Sequence, residues 1–295
     1  MRYALVHGRR SGRGGAAGVG ERATATLRDA GHDVVQVSAG TLEEARAACT
    51  ALVADGVEVL AVAGGDGLVS LGADVCAGTP TALGILPAGT GNDNARSLGL
   101  PSGPAACVDV LLAGHTRTVD TLLLPELGRH VLGSVCGALD ARINARANRL
   151  PRRLGAASYT VSALVEIALL RRQPPLHYRL TLDGRSRELD ALVVVAASMP
   201  SIGGGLPIAP AADPADGELD VVLIHPVTPA QALGLLRAVR AGRHTGHPAV
   251  EILRAREVRV EGPPDVVAHG DGEALGPLPL TVRVDPASLQ VVVPR

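Results

Sequence analysis

The chain has 295 residues, 46% of them apolar, and a formal net charge of −1. That is enough length and apolar content for two domains with sizeable cores, and the balanced charge excludes a global attraction to nucleic acid. With no Phe, no Trp and three Tyr, the core has to be built from Val, Leu, Ile and Ala, and the aromatic anchors common in interfacial proteins are missing.

The chain enters a strand at once, Tyr3–His7, with no charged leader before it, and its apolar runs are too short to span a bilayer. Cys49, Cys76, Cys107 and Cys136 are widely spaced, without a C-x-x-C pair, which fits buried free thiols in a reducing compartment. A cytoplasmic protein is expected, with possible access to the inner membrane face. After His7 comes Gly8-Arg9-Arg10-Ser11-Gly12-Arg13-Gly14-Gly15 and a helical stretch, Ala16–Ala30. A glycine-rich loop with a hydroxyl and three Arg between strand and helix can hold phosphate, and taken alone it fits a solvated loop better. Strand Val34–Val37 follows, and Thr41-Leu42-Glu43-Glu44 has the form of a capping box opening a helix to Asp55, so Thr41 is most simply a cap.

Val57–Ala63 reads as a buried parallel strand and Leu68–Ala77 as a helix, so Gly64-Gly65-Asp66-Gly67 sits at the carboxyl edge of a sheet, where α/β folds bind ligands. Glycines there let backbone N–H groups approach an anion, and the helix N-terminus adds favourable partial charge. An anionic Asp66 in a phosphate cradle calls for a bridging cation, hence nucleotide phosphate with Mg²⁺; a tight turn with Asp66 as a cap accounts for the heptapeptide equally well. Strand Ala82–Leu86 leads into Gly89-Thr90-Gly91-Asn92-Asp93, a second such loop at the same edge, and Pro101–Leu112 into another helix. Thr90 can donate to phosphate, whereas Asp93 serves as well as a helix cap. The β-α alternation predicts a parallel sheet with right-handed crossovers.

From Thr116 onward strand follows strand: Arg117–Leu124, Val131–Leu139, His177–Leu182, Glu188–Ala197, Leu219–Ile224, Val250–Arg254, Glu257–Glu261 and Thr281–Val284, with Asp183-Gly184 as a hairpin turn. This sets an α/β domain over residues 1–120 and a mainly antiparallel domain over 121–295, interrupted by helices near Ser158–Leu170 and Thr228–Arg240; the strand Ser288–Val293 is free to return to the first domain. Arg142, Arg146, Arg149 and Arg153 recur at helical spacing beside Arg152. Each would add about 1 kcal/mol at an anionic lipid surface, but Pro151 interrupts the helix and favours a solvated face. Asp213, Asp216, Glu218 and Asp220 fall within eight positions, which suits either a hard cation or an acidic surface turn. Asp271 lies between two glycines after an apolar strand, open to a substrate or placed at the corner of a β-turn.

Taken in order, Gly64-Gly65-Asp66-Gly67, Leu86-Pro87-x-Gly89-Thr90-x-Asn92-Asp93-x-Ala95-Arg96, Gly203-Gly204-Gly205-x-x-Ile208-Ala209-Pro210, Asp216-Gly217-x-Leu219-Asp220 and Asp271-Gly272-Glu273 resemble the diacylglycerol kinase catalytic-domain family, and in length and motif order its soluble bacterial lipid kinases. The resemblance implies an N-terminal α/β domain like that of NAD kinases and phosphofructokinases, a C-terminal β-sandwich, and ATP as phosphoryl donor. Nucleotide binding then falls on the loop from His7 through Ser11 and Gly12, on Thr41, on Gly64, Gly65, Asp66 and Gly67, and on Gly89, Thr90, Asn92 and Asp93. A structural Mg²⁺ falls on Asp213, Asp216 and Glu218, the general base on Asp271, and Asp66 completes the catalytic pair. The chain departs from the pattern at His7-Gly8, where Asn-Pro is usual, at Leu68, Ser70 and Leu71, where Thr, Asn and Glu are usual, and at Ser198 in place of Asn. The implied activity is transfer of the ATP γ-phosphoryl group to a lipid hydroxyl such as that of diacylglycerol, with transient membrane contact and no nucleic acid partner. A kinase for a soluble alcohol, a nucleotide-binding protein without turnover, and a homodimer stay open.

Overall fold

The computed structural model describes residues 1–9, 15–137, 157–170 and 175–295, together with 143, 146, 149 and 150. Ser11 and Gly12 of the first glycine-rich loop, and Arg142, Arg152 and Arg153 of the arginine stripe, lie outside the described residues. The chain forms two units, one of Met1–Thr121, His130–Leu132 and Asp285–Arg295, the other of Leu122–Arg129 and Gly133–Val284.

In the first unit the apolar runs form β1 (Arg2–Gly8), β2 (Asp33–Ala39), β3 (Val59–Gly64) and β4 (Ala82–Pro87), all parallel, in the order β2-β1-β3-β4. Every residue of β3 and β4 is buried, as a parallel sheet covered on both faces requires. The cover comes from α1 (Ala16–Asp29), α2 (Leu42–Ala54), α3 (Asp66–Cys76) and α5 (Pro104–Ala113), with the short α4 (Asp93–Ser97) between; α1 packs on α5, and α2 on α3. Register aligns His7 with Ala63 and Ala63 with Leu86, so β1, β3 and β4 end at one edge. Next come β5 (Thr116–Leu124) and β6 (Arg129–Val131).

The second unit stacks two antiparallel sheets. One holds β7 (Ser134–Cys136), β10 (Val193–Ala197), β11 (Leu219–Ile224), β12 (Val250–Ala255), β14 (Val267–Gly270) and β15 (Glu273–Pro277), in the order β12-β11-β10-β7-β14-β15. The other runs from the first residues of β16 (Leu280–Val292) through β13 (Glu257–Glu261) and β8 (Leu176–Leu182) to β9 (Arg185–Ala191). Val258, Val260 and Val282 of one sheet face Val135, Val194 and Val221 of the other across a narrow apolar space. Helices α6 (Ala157–Leu169) and α7 (Pro229–Arg240) pack together, and α7 seats Leu235 and Val239 against Val195 and Val222. Thr228 and Gln231 close the capping box that starts α7.

Three strand readings are corrected. Glu188–Ala197 is two strands in different sheets: β9 alternates exposed and covered residues while β10 is wholly buried, and the Leu192 N–H between them turns to the Ile224 carbonyl at 2.7 Å. Val131 and Ser134 belong to separate strands because the Gly133 carbonyl accepts the Ser198 and Met199 N–H groups instead of continuing a ladder. Thr281–Val284 and Ser288–Val293 fuse into β16, whose later residues lie parallel to β4 through Val291 and Leu83.

Candidate functional site

The site begins with two glycine turns at the end of β3 and β4. Gly65 caps α3 in an extended conformation, and its carbonyl accepts the Leu68 and Val69 N–H groups at 3.0 and 3.1 Å. Asp66 therefore occupies the first turn of α3, where the helix dipole favours a carboxylate. The turns are welded together: Ala88 donates to the Gly64 carbonyl at 2.9 Å, Asn94 N–H donates to Asp66 Oδ1 at 3.1 Å, and a Cβ placed on Gly89 would lie 2.3 Å from Gly65 Cα. Backbone meets backbone here, which only glycine permits.

Asn92 shapes the second turn. It sits in the left-handed region at φ 53°, and its amide clamps Gly89 from both sides, accepting from the Gly89 N–H at 2.9 Å and donating to its carbonyl at 3.0 Å. Asp93 pairs with Arg96 at 2.9 Å, and Arg96 also donates to the Gly91 carbonyl, so both acidic and cationic ends of this turn are fixed from within. Thr90 is exposed at its tip. Asn94 is 2% exposed, and its Nδ2 has no acceptor among the described residues, an orphaned donor of the kind that a ligand or water satisfies.

His7 and Thr41 are engaged in structure. His7 is buried against Gly20 of α1; Gln36 donates to its Nε2 at 3.0 Å, which leaves Nδ1 to donate to the Gly8 carbonyl at 3.2 Å. Thr41 Oγ1 accepts the Glu44 N–H at 3.1 Å as the cap of α2, while the Glu44 carboxylate takes the Gly40 N–H at 2.7 Å and lies 3.6 Å from Arg9.

In the second unit, Asp271 occupies the β14–β15 turn at φ 46°. Its carboxylate accepts the Gly133 N–H with both oxygens at 3.1 Å and the Ser134 N–H at 3.0 Å, and its own N–H donates to the Ser134 carbonyl at 3.1 Å. Four backbone hydrogen bonds thus fix its orientation. The acidic turn is held by its own backbone and by Arg254. Asp213 Oδ1 accepts the Ala215 N–H, Asp216 Oδ1 accepts the Glu218 N–H, and Arg254 binds both Asp216 and Glu218, the latter at 2.9 Å. Among the described residues no three His, Cys, Asp or Glu side chains gather as metal ligands. Burial pushes the neighbouring Asp220 carboxyl up, against the pull of Arg254.

Asn94, Gly133, Ser134 and Arg254 are the participants that sequence reasoning missed. Arg254 stands opposite Asp220 across β11 and β12, a pairing set by register, and Gly133 and Ser134 meet Asp271 across more than a hundred residues of chain. The Ala95-Arg96 end of the second motif was the one local signal near Asn94.

Residues 2–124 match the diacylglycerol kinase catalytic domain and residues 133–293 the YegS C-terminal NAD kinase beta sandwich-like domain. A diacylglycerol kinase of Mycobacterium tuberculosis (strain ATCC 25618 / H37Rv) is 38% identical over 291 residues, covering 97% of this chain and 93% of that protein. One from Staphylococcus aureus (strain Newman) is 24% identical over 256 residues, covering 86% and 80%. In fold, the chain is similar to the crystal structure of a diacylglycerol kinase from Bacillus anthracis str. Sterne, with a TM-score of 0.73 at 18% identity over 99% of this chain and 97% of that one. Domain matches over both units and a relative aligned almost end to end agree with the order of glycine and aspartate turns: the chain belongs to the diacylglycerol kinase family.

Proposed function

We propose that the protein transfers the γ-phosphoryl group of ATP to the hydroxyl of a lipid such as diacylglycerol. The observation that supports this reading is the fused pair of glycine turns, Gly64–Gly67 and Gly89–Gly91, packed backbone on backbone at Gly65 and Gly89 at the carboxyl ends of two neighbouring strands. In the reading, these turns and Thr90 hold the phosphates. Mg²⁺ arriving with the nucleotide supplies charge neutralisation, and Asp66 is the carboxylate that would hold it or its waters. The lipid oxygen attacks the γ-phosphorus, the bond to the β–γ bridging oxygen breaks to release ADP, and Asp271 accepts the hydroxyl proton. Its backbone hydrogen bonds aim the carboxylate.

The test uses γ-labelled ATP, Mg²⁺ and a total lipid extract in mixed micelles. Asn at position 271 keeps an oxygen for the Gly133 and Ser134 amides and removes the base, so Asp271→Asn is expected to lower kcat by about 10²–10⁴-fold with ATP affinity nearly unchanged. A variant that turns over like the parent would remove Asp271 from the mechanism. The rival, nucleotide binding without turnover, is favoured by Ser70 and Leu71, which are buried in α3 where the family pattern carries Asn and Glu. ATP binding with no labelled lipid from the parent protein would select it, or a kinase for a soluble alcohol.

A further inference from the structure

The Asp271 carboxylate sits where two strand pairings of the second unit run out. Register between β7 and β10 aligns Ser134 with Ala197, and one step further the Ser198 N–H still reaches the Gly133 carbonyl at 2.9 Å. A hydrogen-bonded antiparallel pair exchanges two backbone bonds, but the Gly133 N–H goes to both carboxylate oxygens of Asp271 at 3.1 Å. On the β14 side the Asp271 N–H reaches the Ser134 carbonyl at 3.1 Å, and the bond in return, from the Ser134 N–H at 3.0 Å, ends on Oδ1 of the Asp271 side chain. One carboxylate thus takes up the amides that both neighbouring strands leave at this end of the sheet.

The Gly133 carbonyl and the Ser134 N–H belong to a single planar peptide unit and point in opposite directions. Whatever holds the oxygen therefore aims the N–H at Asp271. That oxygen accepts from the Ser198 N–H at 2.9 Å, the Met199 N–H at 3.2 Å and Ser198 Oγ at 3.3 Å. Gly133, Ser134, Ser198 and Met199 are all buried, whereas Asp271 is only half-buried, so the restraint lies inside and the carboxylate stays within reach of a substrate. Donors on a carbonyl also polarise the amide and strengthen its N–H as a donor. Glycine places few limits on its own backbone, so the orientation of this unit has to come from its neighbours, and Ser198 supplies part of it through a side chain.

We propose that Ser198 is a positioning residue for Asp271, acting through the Gly133–Ser134 peptide. The proposal rests on the reading of Asp271 as the group that accepts the hydroxyl proton. A carboxylate in that role depends on its orientation at the moment of attack, and a peptide plane free to tilt would let it swing off line.

The test measures label transfer from γ-labelled ATP to dioleoylglycerol in mixed micelles with Mg²⁺, at a temperature where circular dichroism shows every variant folded. Ser198→Ala is expected to lower kcat about three- to tenfold, the span that one lost hydrogen bond allows, with KM for ATP and for the lipid within about twofold of the parent. Ser198→Cys keeps the volume and offers a weaker donor, so it is expected to lose nearly as much. Added to Asp271→Asn, the Ala substitution is expected to cost less than about twofold more, because the group it positions is gone. Parental kcat in Ser198→Ala, parental kcat restored by Cys, a rise in KM in place of a fall in kcat, or the full loss repeated on top of Asp271→Asn would each overturn the proposal. Failure of the underlying reading looks different. If Asp271→Asn turns over like the parent, or the parent binds ATP without transferring label, the role of Asp271 falls and that of Ser198 with it; if Asp271→Asn is slow while Ser198→Ala matches the parent, only the role of Ser198 falls.

Discussion

A methyl group at Gly89 has nowhere to go, because it would lie 2.3 Å from the Gly65 α-carbon and 3.0 Å from the amide oxygen of Asn92. Relief requires the two turns to part, so Gly89→Ala is expected to destabilise the protein by about 1–3 kcal/mol and to weaken ATP binding more than tenfold. Chemical denaturation and titration calorimetry check the two halves; a variant with parental stability and affinity would mean that the turns are not held together. The same scale shows what a sequence can and cannot disclose. Three glycines around one aspartate announce a turn that approaches an anion, because the constraint is local. That Gly65 and Gly89 touch, and that Asn94 leaves a buried donor without an acceptor among the described residues, depends on β3 and β4 being neighbours, which no short window contains. Of the four cysteines expected to be buried, Cys49, Cys76 and Cys107 are and Cys136 is half-buried, and burial pushes the Cys49 and Cys107 thiols up to about 12 and about 11.

Between elements, β9 and β12 belong to different sheets of the second unit and are tied by Arg187 and Glu251, with bonds of 2.8 and 2.6 Å, and His225 adds a contact at 3.3 Å. Hydrogen bonding and charge from Arg187 hold the Glu251 carboxyl below its ordinary 4.5, against the opposing effect of burial. A carboxyl lowered in the folded state contributes stability that is complete above about its unfolded value and is lost as pH falls through the folded one. Glu251→Gln is therefore expected to reduce stability near neutral pH, by about 1 kcal/mol or less for so solvated a pair, and to flatten the decline of stability below pH 4.5. Acid titrations of parent and variant followed by circular dichroism check this; parallel curves would exclude a contribution from Glu251. Helices and parallel strands were legible because each carries its own period or apolar run. The split of β9 from β10 was not, since the apolar run Leu192–Ala197 reads the same whether it continues one strand or starts another in the facing sheet.

Across the whole molecule, the first unit is assembled from both ends of the chain. Residues 285–295 supply Leu289, Val291 and Val292, each at most 1% exposed, pair with β4, and receive the Gly78 N–H at the Ser288 carbonyl at 2.7 Å. Ala287 donates to Asp120 and Val293 to His115 within the same unit. Exposing three such side chains costs about 1.5–3 kcal/mol each, comparable in sum to the whole stability of a domain. A chain lacking residues 285–295 is expected to lose cooperative unfolding of the first unit and measurable ATP binding; a truncated protein with parental nucleotide affinity would contradict this. The sequence left that return open because an apolar strand near a terminus carries no address. Its consequence lies in biosynthesis. A ribosome releases β1 to β4 long before β16, so throughout most of translation the growing polypeptide carries β4 with an unpaired edge, the feature most prone to aggregate. Premature termination would leave the first unit exposed to chaperones and proteases, even though nearly all of its own residues had been made.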